Sequence, residues 1–406
     1  MKVWIKLLIG SIFGIALGLL ASEHLRLVEL LAWLEQLALR IGRYAVIPML
    51  VFSLTISIYE LRQEGKFWSL VVKNILLIIG ISIFMIFAGV LATLVFPPSR
   101  IPILTEEQLE LIKLDIPGNI RDLFPYNMLS VLTGDGVYLF PVCVFAFIFG
   151  MGLSYDRSYS KPVIVLVDSL SQVFYHVAAF IIEILGFIMI VLASYWAIRF
   201  REVLQADIFM DLILLLGILG IVLGFGILPM FLYLIKPRIN PWKVLYGSLG
   251  PSIAAFFSGD INFTLPVLLN QTKENLNIRR RSNAISLSLF STFCRAGSAM
   301  VATVAFIVIF KSYSSLGISM AEILSISFQA LLISFLLARH PGDGAYIALA
   351  VLCLGYGKGF EAGYLILKPL AFYLIAVGAF LDVIIASFGT YTAARISGYT
   401  DKKTPH

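Results

Sequence analysis

Residues 240–300 read NPWKVLYGSLGPSIAAFFSGDINFTLPVLLNQTKENLNIRRRSNAISLSLFSTFCRAGSAM. An apolar run enters at Tyr246, breaks across Phe257-Ser258-Gly259-Asp260-Ile261-Asn262, and resumes at Phe263-Thr264-Leu265-Pro266. Each arm falls short of the roughly 20 apolar residues that a bilayer-crossing helix needs. The break carries small and polar residues and a carboxylate. Irregular backbone at membrane depth persists only where protein buries it or a water-filled cavity borders it. The stretch therefore predicts a re-entrant helical hairpin in a membrane protein, with a polar tip where a ligand can sit. A span over 286–310 follows, itself interrupted at Cys294-Arg295-Ala296-Gly297-Ser298. Adjacent broken helices are the best sequence pointer to a transport site.

The same device recurs in the apolar region 318–357. Residues 330–338 run into Arg339-His340-Pro341-Gly342-Asp343-Gly344, and the apolar run resumes from Ala345 to Leu354. Two short arms again flank a Pro/Gly tip with a charge. Hairpin, broken helix, hairpin, helix is a twofold pattern, and repeats of this kind place the site at their interface.

The rest of the chain agrees. Of 406 residues, 60% are hydrophobic and only 13% charged, which excludes a soluble domain of this size. The net charge of +6 is no nucleic-acid signature, because the Lys and Arg sit in short loops between apolar runs. The three cysteines, Cys143, Cys294 and Cys353, have neither metal nor disulfide spacing. Residues 1–21 have a basic start and an apolar run without a convincing small-residue cleavage site, so a retained first helix is expected over a signal peptide. Hydropathy predicts spans at 5–21, 37–58 (with Pro48 in its middle), 70–95, 128–153, 163–198, 210–235, the broken 286–310, and 364–394. Residues 99–125 form the longest polar connection and carry Glu106, Glu107, Glu110, Asp115 and Asp122. With both hairpins re-entrant and the N-terminus in the cytoplasm, Lys and Arg gather in cytoplasmic loops, including Arg279-Arg280-Arg281, Lys236, Arg238, Lys402 and Lys403. That is the positive-inside pattern, with both termini cytoplasmic in a cell inner (plasma) membrane. Counting each hairpin as two spans returns the chain to the same side; arm length and tip polarity favour re-entry.

At this point the chain resembles the dicarboxylate/amino acid:cation symporters, the glutamate transporter family. Ala45-Val46-Ile47-Pro48-Met49-Leu50-Val51-Phe52-Ser53 looks like that family's second-helix VVPLVFSS motif. Asn127-Met128-Leu129 with Phe145-Ala146-Phe147-Ile148-Phe149-Gly150 is similar to its NML and FAxxFG. Ala255-Phe256, Thr264-Leu265-Pro266 and Glu274-Asn275-Leu276 follow its first hairpin. Pro341-Gly342-Asp343-Gly344 resembles the PGAG of its second hairpin, and Leu381-Asp382 the LD of its eighth helix. The resemblance implies an all-α polytopic membrane protein with a glutamate-transporter-like fold, eight transmembrane spans and two re-entrant hairpins. It also implies a homotrimer in which 1–69 and 126–208 form a scaffold. Residues 70–125 (span three and the outer loop) and 209–406 would belong to a mobile transport domain that works as an elevator.

The departures fall on the chemistry. The family's first-hairpin serine run is here Gly259-Asp260-Ile261-Asn262, and its NMDGT is Cys294-Arg295-Ala296-Gly297-Ser298. Anchored on Leu381-Asp382, its substrate-reading Arg falls on Ile385, and its sodium-site Asn and Asp fall on Gly389 and Ala393. Its helix-seven sodium-site Asp falls on Ala296. Sodium wants clustered hard oxygen ligands, so these losses speak against sodium coupling and against an acidic amino-acid substrate. Protons are the alternative coupling ion, and no cofactor is expected. Asp382 alone keeps a family position, one that contacts a substrate amine.

Asp260, Arg295, Asp343 and Asp382 are the ionisable groups at the breaks and in the core. A charge at the bilayer centre costs roughly 3 kcal/mol on insertion scales, so such groups are usually functional or paired. The competing reading is structural ion pairing that locks the breaks together. Ser258, Asn262, Thr264 and Ser298 add small donors that equally suit backbone capping. With Gly259, Pro341 and Gly342 these residues make up the candidate substrate site, with Arg295 taking a carboxylate and Asp382 an amine. His340 is a tip histidine, open to a proton relay or to the surface. His176 reads as structural, and Glu183 and Asp168, in the expected scaffold, as interfacial or inter-subunit pairing groups. Trp33, Trp196 and Trp242 read as interfacial anchors. The composite is a secondary-active carrier of a small polar solute, amino-acid-like or carboxylate, with lipid and its own copies as partners and no nucleic acid. Alternatives are a proton-coupled or exchange carrier, or a receptor or anion channel on the same fold. An enzyme is disfavoured, since no nucleophile–base pair or metal-ligand spacing is present.

Overall fold

Proline placement decides several helix boundaries. The computed structural model describes residues 2–102, 116–204, 207–235, 240–313, 318–357 and 359–400. Helix α1 (Val3–Ala21) is followed by α2 (Leu25–Arg43) and α3 (Val46–Gln63). The span expected at 37–58 is thus two helices that meet at Tyr44-Ala45. The break sets Pro48 in the first turn of α3, where no N–H is needed, instead of inside a helix where its ring would strike the carbonyl four residues back. Next come α4 (Phe67–Val95), the short α5 (Ile116–Arg121) and α6 (Phe140–Leu153). The span expected at 128–153 is likewise interrupted: Met128–Thr133 is a 3₁₀ segment. The backbone then turns through Gly134-Asp135-Gly136 and restarts with Pro141 in the first turn of α6. Helix α7 (Arg157–Leu204) runs 48 residues. Helices α8 (Met210–Ile221) and α9 (Leu228–Ile235) are joined by a π-helical stretch at Val222–Ile227.

The broken elements follow: α10 (Pro241–Ser258), α11 (Ile261–Glu274), α12 (Arg280–Phe293), α13 (Ala296–Tyr313), α14 (Met320–Leu336), α15 (Gly344–Tyr356) and α16 (Ala371–Ile396). Gly259 ends α10 in the left-handed region at φ 66°, a conformation that favours glycine, and its N–H caps the Ala255 carbonyl. Asp260 then N-caps α11 by accepting from the Asn262 N–H at 2.8 Å. Both helix-break-helix units read from the sequence are present, and the interrupted seventh span starts at Arg280, earlier than residue 286.

Among the described residues, eight helical stretches are long and apolar enough to cross a membrane. The number equals the expected one, but the membership differs. Phe140–Leu153, at 14 residues, is too short to be among them, whereas Met320–Arg339, the first arm of the second hairpin, is long enough. The six connecting residues 134–139 and the 3₁₀ segment before them account for the first difference. Among the described residues the chain is otherwise helical, with a lone bridge between Ile278 and Thr400 that ties the start of α12 to the end of α16.

The core lies where α13 and α16 pack against each other and against α4, α10, α12 and α15. Helix α1 lies along α7. The basic triplet does more than face headgroups: Arg280 pairs with Asp168 and Arg281 with Glu64. Glu183 pairs with Lys6 of the same chain. Trp33 and Trp242 are exposed, as interfacial anchors would be, but Trp196 is not one of them. It packs among Phe200, Phe256, Phe257 and Phe372 in an internal aromatic cluster. Glu106, Glu107, Glu110, Asp115, Lys236, Arg238, Lys402 and Lys403 lie outside the described residues.

Candidate functional site

The break between α12 and α13 leaves the first N–H groups of α13 without helical partners. Asp382 of α16 supplies them. It accepts from Gly297 N at 2.7 Å, Ser298 N at 3.2 Å and the Ser298 hydroxyl at 2.6 Å. A carboxylate at a helix N-terminus is favoured by the helix dipole as well. Arg295, in the break itself, balances that charge: its Nε lies 3.2 Å from Asp382 Oδ2. The same guanidinium reaches across to the second hairpin and donates from Nη2 to the carbonyls of His340 (3.1 Å) and Pro341 (3.0 Å). The pair is sealed, with side-chain exposures of 2% and 0%. Arg295, Ser298, Asp382 and Pro341 therefore form one lock that fastens the second hairpin's tip to the broken helix and α16. The carbonyls that Arg295 holds belong to this hairpin and not to the break in its own span.

The first hairpin's tip is held differently. Asp260 pairs with Arg43 at the end of α2. Asn262 donates its amide to the carbonyls of Gly136 (3.1 Å) and Val137 (2.7 Å), just before α6. Ser258 accepts from the Asp260 N–H at 3.2 Å, which stiffens the turn. The two tips touch, because Ile261 N donates to Pro341 O at 3.3 Å and Gly342 lies beside Arg43 and Asp260. The residues expected to share one site thus fall into two adjoining clusters that meet at the hairpin tips.

Two of the predicted residues join neither. Thr264 is buried but donates to the Ile261 carbonyl at 2.8 Å, within its own helix turn. Asp343 is half exposed and faces His340, with Nδ1 to Oδ1 at 3.4 Å. Arg43 was not anticipated. It sits in an ordinary helix end, and nothing in the sequence ties it to a carboxylate 217 positions away.

The positions that the resemblance equates with sodium ligands do not fit an ion. Ala296 and Ala393 are fully buried and offer no side-chain oxygen. Gly389 leaves room that the ring of Phe290 fills; any Cβ there would overlap it. Among the described residues no group of three or more His, Cys, Asp or Glu side chains could hold a metal. A cavity of about 100 Å³ borders the tips at Ser258, Gly259 and Gly342, with α2, α7 and the start of α16 as its other walls.

The profile of the sodium:dicarboxylate symporter family matches residues 3–396. The proton/sodium-glutamate symport protein of Bacillus subtilis (strain 168) is 21% identical over 86% of this chain and 82% of its own length. Neutral amino acid transporter A of Homo sapiens is 22% identical over 54% of this chain and 41% of its own. Excitatory amino acid transporter 2 of Homo sapiens is 24% identical over 54% of this chain and 38% of its own. The matched stretch spans less than half of either human relative and most of the bacterial one.

Proposed function

The chain belongs to the sodium:dicarboxylate symporter family, and on that premise we propose that it is an elevator-type carrier with a built-in cation. It moves a small polar solute, amino-acid-like or carboxylate, across the plasma membrane. Family membership supports transport and not catalysis. Helices α1 to α3, α6 and α7 form the scaffold of a homotrimer, with both termini cytoplasmic. Helices α4 and α8 to α16 form the mobile body, and the two hairpins are its re-entrant gates. The Asp260–Arg43 pair and the Asn262 bonds to residues 136–137 then join body to scaffold, whereas the Arg295 lock lies wholly within the body.

One observation carries the coupling part of this reading. A guanidinium stands against a buried carboxylate and two tip carbonyls, a ligand set that suits a cation. Arginine stays protonated at all physiological pH and cannot leave. It neutralises Asp382 and closes the tip as a bound ion would, but it cannot be released on one side and so stores no gradient. Transport is then independent of sodium and driven by protons, exchange or the solute's own gradient.

The test has two stages. A thermal-shift panel of amino acids and carboxylates finds a solute, since a ligand of the native state raises the melting temperature. Counterflow of that solute, radiolabelled, is then followed in proteoliposomes over a sodium titration in choline. The expected response to sodium is flat, and Arg295→Met abolishes counterflow without introducing a sodium requirement. A steep, saturable sodium requirement in the wild type sinks the reading. It would direct attention to the buried hydroxyls of Ser82, Ser286 and Thr390, which have no hydrogen-bond partner among the described residues.

A further inference from the structure

The cavity beside the hairpin tips holds an arrangement that the Arg295 lock does not use. Its volume of about 100 Å³ is several times the roughly 10–15 Å³ that one water needs, room for a solute of a few heavy atoms. One wall is the tips, at Ser258, Gly259 and Gly342; the other carries Glu35 of α2 and Trp196 and Arg199 of α7. The Arg199 guanidinium lies 4.9 Å over the Phe372 ring and 5.9 Å from the Tyr195 ring. Aromatic faces hold the cation and leave its N–H edge free for an acceptor. Glu35 and Arg199 line the same cavity, yet neither makes an ion pair or hydrogen bond among the described residues. The indole N–H of Trp196 is buried and also lacks a partner there. A buried donor without an acceptor is costly, and a ligand oxygen relieves it.

We propose that this cavity is a docking site for a small zwitterion, with Arg199 and the Trp196 N–H taking its carboxylate and Glu35 its ammonium group. A simple anion would leave Glu35 facing it unpaired, and a simple amine would leave Arg199 so; both are penalised in a cavity that solvent only partly reaches. A second cavity of about 520 Å³ shares Arg199 and Phe372 with the first. The Arg199–Phe372 stack is thus the common wall, and a solute passing it arrives at the two tips. On the carrier reading, which this inference extends, the site collects solute before the tips open onto the sealed Arg295–Asp382 lock.

The test uses the full chain in lipid nanodiscs and three probes: L-alanine, propionate and ethylamine, titrated by calorimetry. The wild type binds L-alanine about tenfold or more tighter than either half-molecule, because both charge-assisted contacts form only with the zwitterion. Arg199→Gln weakens L-alanine about tenfold or more and leaves ethylamine unchanged. Glu35→Gln weakens L-alanine similarly and leaves propionate unchanged, so each variant carries its own check of folding. Should Arg199→Gln lose every probe, Arg199→Lys decides: recovered L-alanine binding supports the site, and continued loss overturns it. The proposal is also overturned if the wild type binds none of the probes, or if both Gln variants keep wild-type L-alanine affinity. Failure of the carrier reading looks different: L-alanine binding that depends on Arg199 and Glu35, with no counterflow in proteoliposomes.

Discussion

Removing one member of the Arg295–Asp382 pair should cost far more than removing both. In Arg295→Met, Asp382 keeps its bonds to Gly297 N, Ser298 N and the Ser298 hydroxyl but loses its cation at an exposure of 0%. Breaking a buried pair from one side typically costs about 3–5 kcal/mol. The His340 and Pro341 carbonyls also lose their charged donor, at about 1.5–3 kcal/mol for such a bond, an amount that overlaps the first. In Asp382→Asn the amide oxygen still accepts from α13, but a guanidinium is left buried and unpaired, again about 3–5 kcal/mol. The double variant carries no buried charge. It should lie within about 2 kcal/mol of the wild type, so that the cycle yields a coupling of about 3 kcal/mol or more. Reversible unfolding in mixed micelles, titrated with a denaturing detergent and followed by circular dichroism, reads all four corners. Additive single effects, with coupling under about 0.5 kcal/mol, would mean that the two groups are held independently and that Arg295 is not Asp382's counterion.

Gly389→Asn, which puts the family's side chain back, should destabilise by about 1–3 kcal/mol through overlap with Phe290, and Phe290→Ala in the same chain should recover part of that loss. Neither change alone should create sodium-stimulated thermal protection. For the re-entrant hairpins, a cysteine at Ser258 should react with a water-soluble thiol reagent only through the tip cavity, while one at the exposed Tyr126 labels freely; unrestricted reaction of Ser258→Cys with a lipid-soluble reagent from the bilayer would refute re-entry.

The fold was readable because its signals are local. A left-handed glycine followed by an N-capping aspartate ends one helix and starts the next, and Gly259-Asp260 shows that in the sequence itself. Two expected spans run across breaks for the opposite reason. Hydropathy averages over Tyr44-Ala45 and over Gly134-Asp135-Gly136, whereas the backbone responds to the single missing N–H of Pro48 and Pro141. The site was half readable. Arg295 and Asp382 announce themselves as costly charges in apolar surroundings, and a charge of each sign suggests a pair. Which carbonyls Arg295 would take, and that Arg43 would claim Asp260, depend on how distant helices meet. Trp196 misled because an aromatic near a span's end looks the same whether it faces headgroups or an aromatic cluster.

The two charge pairs at the tips differ in what motion would ask of them. Arg295 and Asp382 are both sealed, and both belong to elements that pack together around α13 and α16, so a rigid displacement of that body leaves the pair intact. Arg43 is partly exposed and comes from α2, while Asp260 comes from the first hairpin, so the same displacement must separate them. Water can reach the Arg43 guanidinium, at 19% exposure, but Asp260, at 1%, is as sealed as Asp382 and needs a new partner once Arg43 leaves. On the elevator proposal, the Arg43–Asp260 pair spans the surface that slides, whereas the Arg295–Asp382 pair lies within the moving body. Asn262 spans the same surface: its bonds to the 136–137 carbonyls are neutral hydrogen bonds, each worth only about 0.5–1.5 kcal/mol net. On that proposal the cost of the sliding step falls on Asp260, whose bond to the Asn262 N–H stays within the first hairpin, and Arg43→Gln should change the transport rate more than it changes solute affinity.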